Sequence, residues 1–389
     1  MIPRNKKPEN RPADPNFSSG PCAKRPGWNY KTLQTALVGR SHRSSIGKGK
    51  LKEVIEYSRK VLEIPEGFVV AIVPASGTGA MEIAMWSLLG ARAVDVLIWE
   101  SFGQRWALDI KQQLKLNSIR KIEAEYGKLP DLSIVDFNSD VVFTWNGTAS
   151  GVRVPNGNWI ETNRRGLTIV DATSAVFAME LPWEKIDVAT WSWQKALGGE
   201  AAHGMIALGP RAIDRLETYV PDWPIPRLFS LTRNGKLNKN IFEGMTINTP
   251  SMLAVEDALD GLKWASEIGG LSSLIERTNR NAEVVSRWVS STPWIDYLCA
   301  DSDSRSTTSV VLNIVDQKYL NLDETTQRMV INNMLELLSA EKAGFDLGSH
   351  ADAPPGFRIW CGCTIECKNL EALFPWLDWV FFEVMKPNE

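Results

Sequence analysis

The residues of this chain best placed to do chemistry are a glycine loop, Ser76-Gly77-Thr78-Gly79-Ala80, and three polar residues, Thr148, Asp171 and Lys195. Lys195 sits just beyond an apolar, strand-like run and is followed at once by small residues. Burying an ammonium costs on the order of several kcal/mol unless it is paired or neutralised. An amine that is neutral, or consumed in an imine, escapes that cost, and this is the chemistry of a Schiff-base lysine. Asp171 also ends a strand-like run, where a carboxylate can hold a protonated ring nitrogen. The glycine loop opens a helix directly after a strand, so backbone N–H groups and the helix N-terminus favour an anion there. It is not a Walker loop, because no Gly-Lys-Ser/Thr follows. It is not a full dinucleotide fingerprint, because Glu82 stands where the third glycine belongs. Taken singly, each feature has an ordinary reading: a strand-exit lysine, a capping aspartate, a tight turn, a turn hydroxyl.

For these residues to act together, several strands must end in one place. Short apolar runs at residues 68–73, 94–99, 141–145, 167–170, 188–193 and 205–208 read as strands, and helical spacing holds over 51–62, 81–89 and 105–116. This alternation indicates an α/β domain with a mostly parallel central sheet flanked by helices. Thr148, Asp171 and Lys195 then fall past the C-terminal ends of strands, where open α/β sheets hold ligands. Residues 219–248, with Pro221, Pro224 and Pro226, read as an ordered loop. Beyond it come helices over 250–264, 271–289, 325–340 and 370–385, and strands over 310–315 and 357–361. That pattern indicates a smaller α+β C-terminal domain. The expected division is an N-terminal arm over 1–16, a large domain over 17–265 and a small domain over 266–389.

Phosphate cradle, carboxylate and lysine, in that order in an α/β chain, are the parts needed to hold pyridoxal 5'-phosphate (PLP). At this point the chain resembles the class V, fold-type I PLP-dependent aminotransferases, and among them the phosphoserine aminotransferase family. The resemblance rests on Asn16-Phe17-Ser18-Ser19-Gly20-Pro21, Ser41-His42-Arg43-Ser44, Ser76-Gly77-Thr78-Gly79, Asn146-Gly147-Thr148, Asp171-Ala172-Thr173-Ser174, Ser192-Trp193-Gln194-Lys195, Asn248-Thr249-Pro250 and Phe357-Arg358-Ile359. It implies that Lys195 binds the cofactor as a Schiff base, Asp171 pairs with its ring nitrogen and Thr148 meets its phenolate oxygen. It implies that Gly77, Thr78 and Gln194 hold the cofactor phosphate, with Asn248 and Thr249 reaching it from a second subunit. Phe102 is the ring-stacking residue on this reading, with Trp106 as its rival. Arg358 would grip the substrate α-carboxylate, and His42 with Arg43 would bind the substrate phosphate from the partner subunit. The family's best-known bacterial members carry arginine where this chain has Thr78. The resemblance therefore implies a homodimer with shared active sites. Its substrates would be O-phospho-L-serine and 2-oxoglutarate, giving 3-phosphohydroxypyruvate and glutamate in serine biosynthesis. A phosphohydroxythreonine derivative in pyridoxine biosynthesis would be a further substrate.

Composition bounds the alternatives. Of 389 residues, 44% are hydrophobic and 23% charged, as in a soluble globular protein, and the net charge of -3 draws the chain to neither nucleic acid nor membrane. No apolar run reaches the roughly 18 residues of a membrane span. The first 16 residues lack the apolar core of a secretory signal. Five cysteines in a long chain fit a reducing cytosol better than a disulfide framework. Cytoplasmic residence is therefore expected. The three histidines are far apart in sequence, and Cys361, Cys363 and Cys367 have no fourth ligand close by, so no metal site is expected. His203 is expected to make a structural hydrogen bond and His350 to be exposed in its Gly/Pro-rich loop, with a loop lining the substrate entrance as the alternative. Three other readings stay open: a class V aminotransferase acting on alanine or serine with glyoxylate, a cysteine desulfurase, for which no mobile-loop cysteine is evident, and a non-catalytic binding protein of the same fold.

Overall fold

The computed structural model describes residues 6–386. In chain order the first half holds α1 (Ser45–Val61), β1 (Val69–Pro74), α2 (Ser76–Leu88), β2 (Val94–Ile98), α3 (Ser101–Leu108), β3 (Ile119–Glu123), β4 (Asp140–Thr144), β5 (Asn146–Gly147) and β6 (Val152–Arg153). Then come β7 (Thr168–Asp171), β8 (Val188–Ser192), β9 (His203–Leu208), α4 (Pro210–Thr218), β10 (Thr232–Arg233), β11 (Lys236–Leu237), α5 (Met252–Glu267) and α6 (Gly270–Ser290). The C-terminal part adds β12 (Ile295–Tyr297), β13 (Ser309–Ile314), α7 (Gln317–Leu320), α8 (Glu324–Ala340), β14 (Phe357–Trp360) and α9 (Cys367–Val384).

Seven strands form the main sheet in the order β1-β9-β8-β7-β4-β2-β3. The ladders from β8 through β7, β4 and β2 to β3 are parallel, and β9 runs antiparallel to both of its neighbours. Because side chains alternate across a strand, these β-branched runs feed two cores at once. Val70, Ile72, Phe143, Trp191 and Met205 enter the core on one face; Ala71, Val73, Val142, Val188 and Ile206 enter the core on the other. The C-terminal part carries a three-stranded antiparallel sheet, β12-β13-β14. The first core continues into it through Leu312, Phe357 and Trp376.

Several boundaries differ from the sequence expectation. α2 starts five residues earlier than its apolar periodicity, so Gly77 and Thr78 lie in its first turn. α1 starts at Ser45, where the Ser44 hydroxyl caps the Gly47 N–H. The helix expected over 105–116 is the shorter α3 followed by a π-turn at Asp109–Gln113. The loop over 219–248 contains a 3-10 turn and the β10–β11 hairpin. Cys361 lies just past β14 rather than in it. The N-terminal stretch is strapped down: Trp376 Nε1 donates to the Asn10 carbonyl at 2.7 Å, and Lys7 and Arg11 pair with Glu341.

Candidate active site

The C-terminal ends of β1, β2, β4, β7 and β8 surround one cavity, placed where open α/β sheets hold ligands. Gly77, Thr78, Phe102, Thr148, Asp171, Gln194 and Lys195 all line it. These residues are spread over more than a hundred positions of sequence, and the parallel sheet brings them together.

Lys195 follows β8 and is only partly exposed. Its Nζ donates to the Ser19 carbonyl, which the Asn16–Pro21 stretch brings across the sheet. The Cys22 N–H fixes that stretch by donating to the Gln194 carbonyl at 2.8 Å. Desolvation pulls the lysine below its usual range, and nearby Arg358 adds to the effect; Cys22, Glu100 and Asp171 oppose it. Asp171, at the end of β7, is 8% exposed. One of its oxygens accepts from the Thr173 N–H at 3.0 Å and the Thr173 hydroxyl at 2.6 Å, so the other lies outside these bonds. Burial raises this carboxyl, while Thr173 and Lys195 hold it down.

Thr148 sits in the tight ribbon of β5 and β6. Asn146 Nδ2 donates to the Ser174 hydroxyl at 2.8 Å, and the Ser309 hydroxyl donates to the Thr148 carbonyl at 2.7 Å. These bonds tie the loop after β4 to the loop after β7 and to β13. Ala75 (φ 64°) and Ser76 (φ 58°) hold left-handed backbone at the entrance to α2, a conformation that non-glycine residues adopt at a cost. Gly77 then presents bare backbone: a Cβ there would lie 2.6 Å from the Thr173 hydroxyl and 3.1 Å from the Ser192 hydroxyl.

Polar atoms on these walls lack partners. Among the described residues, Glu100 Oε1, Thr144 Oγ1, Ser192 Oγ and Gln194 Oε1 are buried with no hydrogen-bond partner. Buried polar groups are normally satisfied, so a cluster of open ones around a cavity marks a place built for a polar ligand. A phosphate-bearing aromatic aldehyde fits this set. Its phosphate matches the α2 N-terminus and nearby hydroxyls, its ring nitrogen the free oxygen of Asp171, and its carbonyl carbon the Lys195 amine.

Phe102 and Trp106 lie on one helix, and both line the cavity. Trp106 is 2% exposed, and its N–H favours the charged form of Asp171. Phe102 keeps part of its face open and packs against His350, with ring centroids 6.0 Å apart. His350 is therefore half-buried beside the cavity rather than exposed. Burial lowers its pKa, and Arg358 adds to this. Arg358, on β14, is half-buried, and its Nε has no partner among the described residues. His203 accepts the Ser251 N–H at 2.9 Å and holds the start of α5.

Five expected site residues do not line this cavity: Arg358, on β14, and four others. His42 is buried and Arg43 exposed on the turn before α1, while Asn248 and Thr249 lie before α5. Sequence reasoning did not single out Glu100, Thr173 or Ser192 as site residues. Thr173 and Ser192 stand within stretches that carry the family resemblance, but Glu100 offers no signal beyond its position after a strand.

No family model matches the chain. It is 54% identical over 377 residues to the phosphoserine aminotransferase of Methanosarcina barkeri, covering 96% of this chain and 99% of that protein. The fold is similar to a phosphoserine aminotransferase from Cytophaga hutchinsonii, with TM-score 0.80 at 20% identity, covering 93% of this chain and 97% of that one. It is also similar to a PLP-bound phosphoserine aminotransferase from Trichomonas vaginalis, with TM-score 0.73 at 20% identity, covering 94% and 99%. Full-length identity at this level, on a chain whose lysine, aspartate and glycine turn meet in one cavity, makes this chain a member of the phosphoserine aminotransferase family.

Proposed function

We propose that the chain transfers the amino group of O-phospho-L-serine to 2-oxoglutarate, giving 3-phosphohydroxypyruvate and L-glutamate, with PLP as its cofactor. The observation that carries this reading is the single cavity where a depressed lysine, a buried aspartate and a helix N-terminus meet. Bound there, PLP supplies an electrophilic carbon and a ring that draws electron density from the substrate Cα. Lys195 holds the cofactor, and its Nζ takes the Cα proton and returns it; desolvation keeps that amine more readily neutral than a surface lysine. Asp171 keeps a proton on the ring nitrogen. The backbone of Gly77 and Thr78, with Gln194 and Ser192, receives the cofactor phosphate. Thr148 meets the phenolate oxygen, and Phe102 covers the ring while Trp106 supports Asp171. Arg358 grips the α-carboxylate of either substrate.

His42, Arg43, Asn248 and Thr249 act from a second subunit on this reading. Exposed Val38 and Ile46 flank the His42-Arg43 turn, and exposed Met245 and Leu253 flank Asn248-Thr249. Apolar side chains of this kind favour burial against a second copy. We assign the arm to residues 1–16, the large domain to 17–265 and the small domain to 266–389. Among the described residues no helix is long and apolar enough to cross a membrane. We place the enzyme in the cytoplasm, with a phosphohydroxythreonine derivative as a further substrate.

The test is a half-reaction. Phosphoserine added to purified protein should shift the absorbance of the bound cofactor, and alanine should not. Equal response to alanine would favour a glyoxylate-type aminotransferase. A protein with no absorbance band in the Schiff-base region, or one whose Schiff-base band survives Lys195→Ala, would sink the assignment.

A further inference from the structure

Glu100 is the ionisable group of the cavity that the proposed reaction leaves without a task. It occupies the N-cap position of α3, yet its side chain makes no capping bond. The side chain crosses instead to the loop after β4. There Oε2 accepts the Ala149 N–H at 2.6 Å and the Ser150 N–H at 3.1 Å. Gly147 leaves room for this crossing, since a Cβ on it would lie 2.9 Å from Oε2. Glu100 thus pins the turn that carries Thr148. The residue is 3% exposed and lines the same cavity as Lys195 and Asp171. Oε1 has no partner among the described residues.

A carboxyl in this position is expensive to ionise. Asp171 on β7 repels a second negative charge, whereas Lys195 beyond β8 and Arg358 on β14 attract it; Tyr126 beyond β3 is the remaining titratable neighbour. None of these forms an ion pair with Glu100 among the described residues. Burial pushes the carboxyl up to about 7, opposed by the two N–H donors. Its charge is therefore tolerable mainly while a positive charge persists in the cavity, and the nitrogen of Lys195 is the group there whose charge the reaction changes.

We propose, on the footing of the aminotransferase reading, that Glu100 is a positioning residue whose protonation is linked to that of the Lys195 nitrogen. Glu100 is ionised while the nitrogen carries its extra proton and is protonated at Oε1 when the nitrogen is neutral. In the exchange one N–H bond breaks at residue 195 and one O–H bond forms at Oε1, relayed by solvent water, so the cavity's net charge is unchanged. Oε2 stays free in both states to accept from Ala149 and Ser150, so the Thr148 turn holds still while the charge moves.

Two measurements test this. In the holoenzyme, the absorbance of the bound cofactor is titrated against pH for wild type and Glu100→Gln. Glutamine keeps an acceptor oxygen for the two N–H groups but cannot ionise. The midpoint is expected to move to lower pH by about one unit, because the anion that retained the proton on the Lys195 nitrogen is gone. An unchanged midpoint in a variant that folds and binds the cofactor would reduce Glu100 to a structural anchor and overturn the linkage. The second measurement needs no cofactor. The infrared band of the protonated carboxyl, identified by its absence in Glu100→Gln, is followed against pH in cofactor-free wild type and Lys195→Met. The linkage expects the band to persist to a pH about one unit higher in Lys195→Met; identical titrations would overturn it. Should wild type bind no cofactor at all, the aminotransferase reading fails, and the infrared comparison still decides the linkage.

Discussion

At the N-terminal ends of the central strands, Asp95, Asp140 and Asp187 are each buried and each met by arginine. Arg120 holds Asp95, Arg215 holds Asp140 at 3.0 Å, and Arg164 and Arg211 both hold Asp187, at 3.1 and 2.9 Å. Backbone N–H groups of Asp136, Leu167 and Thr168 occupy further lone pairs. At the C-terminal ends of the same sheet, Glu100, Asp171 and Lys195 share a cavity with no ion pair among them within the described residues. One edge spends its charges on itself and is complete without a ligand. The other keeps charges and hydroxyls open, which shifts their protonation and leaves them for whatever binds. The contrast shows that burial alone does not mark a functional group; buried ionisable groups gathered at one cavity without an ion pair among them do.

Four substitutions probe that contrast. Lys195→Ala should lower turnover by about 10³-fold or more, read from steady-state kinetics. The cofactor-free protein's unfolding midpoint should not fall, because burial disfavours the ammonium it removes. Arg215→Met at the opposite edge should do the reverse. It strands Asp140 and should cost about 3–5 kcal/mol in chemical denaturation, while cofactor bound per folded chain stays constant. A variant with full stability would break the comparison.

Glu100→Gln should be stabilising in a pH-dependent way. The folded-state pKa of about 7 lies above the unfolded carboxyl value of roughly 4.3. The contribution of Glu100 to stability is thus fully present below the unfolded value and lost as pH rises through 7. Against wild type, the variant should gain steadily between pH 5 and 8, reaching on the order of 3 kcal/mol; a flat difference across that range would contradict the assignment. The smallest effect is expected from Thr173→Val, which removes the hydroxyl donor from Asp171. One net hydrogen bond to a charged group, about 1.5 kcal/mol, would weaken cofactor retention by roughly tenfold, measured by equilibrium dialysis.

Much of this arrangement is legible in the sequence. The β-branched runs of β1, β4 and β8 announce buried strands, and Lys195, Asp171 and Thr148 reveal themselves by standing past strand ends. β3 escapes the sequence reading because Ile119-Arg120-Lys121-Ile122-Glu123 is an edge strand with polar residues at three of its five positions, all three exposed. β12 is too short to show a period. Residues 76–80 read as a loop, since glycine and hydroxyl residues hide a helix start that only the hydrogen bonds of its first turn reveal.

What the sequence by itself determined is the set of reactive groups and their attachment to strand ends, because residue type and two-residue periodicity are local properties. Which of those groups face one another was decided only by the tertiary structure. Glu100 becomes a cavity acid because the turn at 149–150, some fifty positions away, takes up one of its oxygens and nothing takes up the other. Desolvation and the presence or absence of a partner are set by the whole packed sheet, and no stretch of chain encodes them alone.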